Sequence, residues 1–222
     1  QALFFVDRLG DQNYVDDLAQ LMPEARLKLL VLIGESSLAG AIPYASFTKG
    51  HPHLKDAYPP GDAARAQDDA LILYTSGSTS YPKAVPLAQG PMIENGFNIG
   101  ERQGLRPGDV VLLSLPLFWS YGSANAMCAT LTHGATLVLQ ARFEPGEAID
   151  LIERHSCTSI FTLPAITAAI IGHAAFSRER TRSLRTGLTI GTPQDVVSAA
   201  EELGALEICN VYGQTESYGN CC

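Results

Sequence analysis

Short apolar runs alternate with stretches whose apolar residues recur at helical spacing, and this alternation is the first pattern along the chain. Residues 70–74 (ALILY), 109–115 (DVVLLSL), 135–139 (ATLVL), 158–162 (TSIFT), 188–190 and 206–211 (LEICNV) predict short strands. They are rich in Val, Ile and Leu and lack a clean period of two, as expected for strands covered on both faces. Helical patterns lie between them. Residues 147–155 place Ala148, Leu151, Ile152 and His155 on one face. Pro164 opens a second helical stretch, 165–175, from a favoured first-turn position. Residues 193–203 repeat the device with Pro193 and carry acidic Asp195 in the first turn. Strands alternating with helices predict an α/β fold with mostly parallel sheets flanked by helices.

Residues 49–69 break the pattern. They are rich in Pro, Gly, Ala, His and Asp and are expected to form a loop or linker. His51 and His53 flank Pro52 there, but two histidines without a third ligand make a surface loop the better reading than a metal site.

Composition narrows the class. The chain has 222 residues, 46% apolar and 17% charged, enough apolar material for a sizeable core and too little charge for a disordered chain. That length allows one large domain or two small ones. The formal charge of −8 argues against nonspecific nucleic-acid binding, which needs a basic footprint, and against docking on anionic lipid. No apolar run approaches the length of a membrane span, and no signal peptide is evident at Gln1. Five cysteines, Cys128, Cys157, Cys209, Cys221 and Cys222, include no C-x-x-C pair and predict no disulfide framework. A cytoplasmic location is the expectation.

The candidate chemistry follows the first strand. Thr75, Ser76, Gly77, Ser78, Thr79, Ser80, Tyr81, Pro82 and Lys83 run on from it without a break. Hydroxyls, backbone N–H groups and a glycine in such a loop can converge on a polyphosphate. Gly77 lets the backbone approach the ligand closely, and Lys83 adds a mobile positive charge. The Thr79 hydroxyl can ligate a hard cation such as Mg²⁺. The spacing is not that of a Walker A loop, and the plain alternative is a Ser/Thr-rich surface turn.

YTSGSTSYPKAV resembles the phosphate-loop signature of the adenylate-forming superfamily, which holds acyl-CoA synthetases, adenylation domains and firefly-type luciferases. Members usually carry Gly where this chain has Ser80 and Ala84, so the loop here is stiffer and more crowded. Two further stretches match in order. Residues 115–122 (LPLFWSYG) resemble the aromatic substrate-pocket motif, with Trp119, Ser120, Tyr121 and Gly122 as the candidate pocket and Trp119 where acyl-CoA synthetases often have His. Residues 210–216 (NVYGQTE) resemble the N-x-YGxTE motif. The resemblance implies that Tyr212 stacks on adenine, Asn210 contacts its amino edge, Thr215 meets the α-phosphate and Glu216 holds Mg²⁺ with Thr79. It also brings Gly213 and Gln214 to the nucleotide. Residues 183–187 (SLRTG) and Gly191, Thr192 and Pro193 resemble the stretch whose backbone borders adenine, and residues 161–164 (FTLP) the step before the substrate wall.

The activity implied is ATP-dependent conversion of a carboxylic acid to an acyl-adenylate, with Lys83, Thr79, Thr215 and Glu216 catalytic, followed by transfer to coenzyme A. The alternatives are an adenylation domain that loads a carrier protein and an inactive nucleotide-binding remnant. Amino-acid-activating members place Asp directly after the pocket Phe. Here Trp119 follows Phe118, so the expected substrate is a carboxylic acid without an α-ammonium group. Trp119 and Tyr121 offer flat area for an aromatic or short aliphatic acid, the alternative being that both pack in the core. The family's later Asp and Lys have no counterpart among these residues, so the chain is expected to be the central part of a large N-terminal domain, lacking the C-terminal subdomain and inactive alone.

Overall fold

A computed structural model describes residues 2–21, 27–49, 64–76 and 81–218. The chain divides into two compact units, Gln1–Ala63 and Ala64–Cys222.

The first unit holds β1 (Ala2–Val6), β2 (Arg8–Leu9), β3 (Gln12–Asn13), α1 (Tyr14–Leu21), β4 (Leu29–Ile33), β5 (Ile42–Pro43) and α2 (Tyr44–Phe47). β1, β4 and β5 form a parallel sheet in that order, and β2 and β3 an antiparallel ribbon. The apolar run of β4 buries Leu30, Val31 and Leu32. Phe4 meets Phe47 edge to face at 5.2 Å between ring centroids. None of the sequence motifs for chemistry falls in this unit.

The second unit begins with β6 (Asp69–Thr75), β7 (Lys83–Ala88), α3 (Gln89–Gln103) and β8 (Val110–Leu113). A π-helical stretch, Tyr121–Met127, then runs into α4 (Cys128–Thr132). β9 (Thr136–Leu139), α5 (Pro145–His155), β10 (Ser159–Phe161), α6 (Pro164–Ile171) and β11 (Thr186–Thr189) follow. The described chain closes with α7 (Pro193–Val197), a π-helical stretch over Ser198–Leu203, β12 (Glu207–Asn210) and a 3₁₀ turn, Thr215–Ser217. Five strands make one sheet in the order β12-β11-β10-β8-β9, and every pairing is parallel. The expected α/β class therefore holds; β8, β9, β10 and β12 lie within the predicted apolar runs, whereas β11 starts two residues before its predicted run at 188 and ends one residue short of it. Val111, Leu112, Leu113, Ile160, Phe161 and Leu188 are buried at its centre, covered by Ile149, Ile152 and Ile170 from α5 and α6. Each such side chain contributes about 1.5–3 kcal/mol relative to exposure.

Residues 70–74 require a correction. They were expected to form a buried strand of the parallel sheet, but β6 pairs antiparallel with β7 in a separate two-stranded ribbon. Of the stretch only Leu73 is buried, while Ile72 and Tyr74 are exposed. The segment directly after the phosphate-loop candidate folds back and takes the ladder, so one face packs and the other stays open. Pro86 is tolerated in β7 because a two-stranded ribbon consists of edges.

α5 ends at His155 and the stretch from Pro193 stays helical to Leu203, both as predicted, but α6 is shorter than its pattern. α6 stops at Ile171, capped by Gly172, and α7 gives way to the π-helical stretch at Ser198. Pro164 and Pro193 each occupy the first turn, as their positions predicted. Residues 50–63, with His51 and His53, lie outside the described residues; 64–68 form a turn into β6.

Candidate functional site

Parallel pairing decides where the motifs meet. In register, Leu113 lies beside Phe161, Phe161 beside Leu188, and Thr189 beside Asn210. The carboxyl ends of β8, β10, β11 and β12 therefore open on one edge of the sheet, the edge where ligands bind in open α/β folds. The segments leaving them carry Trp119, Pro164, Gly191 and Tyr212 with their flanking motif residues.

The phosphate-loop candidate is the connection of the β6–β7 hairpin. Gly77, Ser78, Thr79 and Ser80 lie outside the described residues, but the two ends of the loop are fixed, with Thr75 paired to Lys83 across the ribbon. From there Lys83 Nζ donates to Oε1 of Glu216 at 2.9 Å. This hydrogen bond holds the Glu216 carboxyl below the usual carboxylate range, so it is ionised near neutrality. Both side chains are well exposed, and such a pair adds little to stability. Its value is positional, because it joins the hairpin to the turn that carries Thr215 and Glu216.

A cleft of about 340 Å³ opens beside this pair. It is lined by Leu73, Tyr74, Thr75 and Ser76 of the hairpin, by Phe118, Trp119, Ser120 and Tyr121, by Ile190, and by Gly213, Gln214 and Thr215. Thr215 and Ser120 share a hydrogen bond between hydroxyls at 3.4 Å. The rings of Phe118 and Trp119 meet edge to face at 6.2 Å and stay largely exposed. Among the described residues none that lines it is Asp, Glu, Lys, Arg or His. The two expected aromatics separate here. Trp119 is open, whereas Tyr121 is buried, tilted against Phe161 at 5.6 Å, and donates its hydroxyl to Thr162 O at 3.2 Å. Burial pushes the Tyr121 phenol well above its usual range, so it stays neutral. Gly122 follows because a Cβ there would collide with the Pro116 carbonyl oxygen.

A second depression of about 500 Å³ adjoins the first through Ile190. It is lined by Ile190, Gly191, Thr192, Asp195, Asn210, Val211 and Tyr212. The Tyr212 ring is 72% exposed and free to take a flat partner on its face. Asn210 spends its carboxamide differently from the simple expectation: Oδ1 accepts from Gly191 N and Nδ2 donates to Gly191 O, both at 3.1 Å. This clasp sets the ends of β11 and β12 side by side. One amide hydrogen and one lone pair remain for another partner. Thr192 caps α7: its hydroxyl and backbone N–H each donate to Asp195 Oδ2 at 2.7 Å. These bonds hold the Asp195 carboxyl low. Pro193 supplies the first helical residue.

Phe118, Tyr74, Ile190 and Asp195 line these surfaces and were not among the candidate residues. Asp195 had a usable signal, the T-x-x-D capping box beside Gly191. Phe118 sat inside the quoted aromatic motif. Cys157 is buried and its thiol is pushed up to about 12, and burial also raises Cys128. Among the described residues no helix is long and apolar enough to cross a membrane.

Comparisons with known proteins agree on one relationship. The sequence profile of the AMP-binding enzyme family matches residues 3–222. The chain is 28% identical to the acyl-CoA ligase sidI of Aspergillus fumigatus, over 99% of this chain and 39% of that protein. It is 33% identical to the indoleacetate–CoA ligase of Aromatoleum aromaticum, over 73% of this chain and 32% of that protein. Among solved structures, the anthranilate CoA ligase AuaEII in complex with anthranoyl-AMP superposes with a TM-score of 0.79 at 19% identity, over 99% of this chain and 42% of that one. The chain thus spans less than half the length of the curated relatives it matches.

Proposed function

We propose, from the premise that this chain belongs to the AMP-binding enzyme family, that it carries the nucleotide and acid sites of an AMP-forming acid–CoA ligase. The observation that carries the reading is the contact of the two expected charge-bearing residues, Lys83 and Glu216, whose chain neighbours Thr215 and, across the ribbon, Thr75 line a cleft of aromatic rings and hydroxyls.

In the proposed reaction a carboxylate oxygen attacks the α-phosphorus of ATP. The bond from that phosphorus to the β-phosphate oxygen breaks, and pyrophosphate leaves. The thiol of coenzyme A then attacks the acyl carbon and AMP departs. Tyr212 stacks on adenine, and the Gly191–Asn210 clasp supplies the backbone edge beside it. The hydroxyls of Thr75 and Ser76, with Gly77, Ser78 and Thr79, cradle the phosphates, and Thr215 meets the α-phosphate. Lys83 steadies the outgoing pyrophosphate. The Glu216 carboxylate suits a hard cation: it is ionised, exposed, and has a second oxygen outside the Lys83 hydrogen bond. Mg²⁺ held by Glu216 with Thr79 would offset phosphate charge. Catalysis of the first step is then mostly positioning and charge neutralisation.

The acid occupies the cleft between Trp119 and Ile190. Among the described residues no acidic side chain lines it to meet an ammonium group, which favours a carboxylic acid over an amino acid. The named activities of the relatives, on indoleacetate and anthranilate, concern flat aromatic acids and support this reading by likeness. Coenzyme A is preferred as acceptor because these relatives are CoA ligases. The test is pyrophosphate exchange by the full-length protein over a panel of acids, followed by addition of coenzyme A. Exchange that depends on an acid, with acyl-CoA as the product, supports the reading. Exchange without acyl-CoA points to a carrier protein as acceptor, and no exchange with any acid points to a remnant.

A further inference from the structure

The turn that carries Thr215 and Glu216 has little structure of its own. It is a single 3₁₀ turn, Thr215–Ser217, closed by Ser217 N to Gln214 O and Tyr218 N to Thr215 O, both at 3.1 Å. It ends at Tyr218, a non-glycine residue with φ of 58° in the left-handed region. Such a backbone persists only where its surroundings hold it. Part of the hold is apolar, since Tyr218 packs against the cluster of Leu73, Val85, Leu87 and Met92.

The other part is polar and comes from α3. Asn95 Nδ2 donates to Tyr218 O at 3.2 Å and to Asn125 Oδ1 at 3.2 Å. Asn125 is fully buried in the π-helical stretch that starts directly after Trp119 and Ser120. The reach of Asn95 is short, and it suffices because Gly96 lets α3 lie against α4: a Cβ at Gly96 would collide with the Cys128 Cβ. One carboxamide thus ties the turn of the nucleotide site to the helix behind the acid cleft.

We infer that Asn95 is a positioning residue that sets Thr215 and Glu216 relative to the acid cleft through the Tyr218 carbonyl. The inference rests on the adenylation reading for its kinetic consequence, but the anchoring itself does not. Asn fits the task because a carboxamide offers two N–H donors in one plane, whereas an aspartate of the same shape offers none and would face two oxygens with a negative charge.

The test uses Asn95→Asp in the full-length protein, with Asn95→Ser as the second variant should the first not fold. Serine is too short to reach both partners. Amide hydrogen exchange at Ser217 and Tyr218 is expected to quicken by about tenfold, the scale for losing a hydrogen bond to a partly buried carbonyl, with α3 unchanged. In steady state KM for MgATP is expected to rise by about tenfold, more than KM for the acid. A general loss of packing would quicken exchange along α3 as well and would overturn the inference. Unaltered exchange at Ser217 and Tyr218 would also overturn it, as would an unaltered KM for MgATP in a wild type that turns over. A wild type that activates no acid removes the adenylation reading instead, and the exchange result then decides the anchor by itself.

Discussion

The Nζ atom of Lys83 and Oε1 of Glu216 lie 2.9 Å apart although 133 positions separate them in the chain. Lys83 opens β7 at the end of the phosphate-loop candidate, and Glu216 sits in the turn beyond β12. Their contact joins a hairpin to the edge of a parallel sheet.

Glu216→Gln keeps the shape of the side chain and removes its charge. In the full-length enzyme the variant should lower turnover by on the order of a hundredfold, the usual loss when one charge-stabilising group is removed from such a site. The Mg²⁺ concentration for half-maximal rate should rise with it. A Mg²⁺ titration of the rate checks this, and an unchanged dependence would sink the assignment of Glu216.

The proposed acid site has Trp119 in its wall. Trp119→Ala opens one wall of the cleft and should change the order of preference among aromatic and aliphatic acids. Amino acids should stay at least about tenfold poorer than matched acids without the ammonium group. The ratio of kcat/KM values over a panel measures both. Unchanged selectivity would make Trp119 a packing residue.

Tyr121 touches the cleft from a buried position. Tyr121→Phe removes the hydrogen bond to Thr162 O and should cost about 1 kcal/mol of stability. Acid selectivity should not move. Denaturant unfolding and the same acid panel separate the two effects, and a selectivity change without a stability change would make the Tyr121 hydroxyl a selectivity group.

The α7 cap depends on pH. The folded Asp195 carboxyl is held below its usual value by the Thr192 hydroxyl and backbone N–H, so the cap stabilises the fold above the unfolded carboxyl's range. That contribution is lost as pH falls through the folded value. Amide exchange at the start of α7 should quicken in acid, and Asp195→Asn should flatten that response. A wild-type profile without an acid limb would refute it.

Legibility followed burial. β8 and β10 could be read because their apolar runs are buried on both faces, while β11, a TGLT segment, was legible only in its second half. α3 could not. Its sequence, QGPMIENGFNIGERQ, holds three glycines and a proline, and its propensity is low. The glycines serve tertiary contacts: Cβ atoms at Gly96 and Gly100 would collide with Cys128 and His133. The π-helical stretch after Trp119 was equally hidden, because Gly122 to Ala126 are all buried and show no polar face. The site motifs were legible one by one. What the sequence could not show was partnership, such as the Asn210 clasp on Gly191, the reach of Lys83 to Glu216, and the inward turn of Tyr121 while its neighbour Trp119 stays open.

The central claim is that these loops direct a carboxylate onto the α-phosphorus of ATP. Oxygen-18 placed in the carboxylate of an accepted acid tests it most directly in the full-length protein with ATP, Mg²⁺ and coenzyme A. Attack at the α-phosphorus leaves one labelled oxygen in AMP after the thiol has taken the acyl group, and none in pyrophosphate. The account predicts label in AMP at a ratio near one per acyl-CoA formed. Label in pyrophosphate or inorganic phosphate, or acyl-CoA formed with unlabelled AMP, would contradict it.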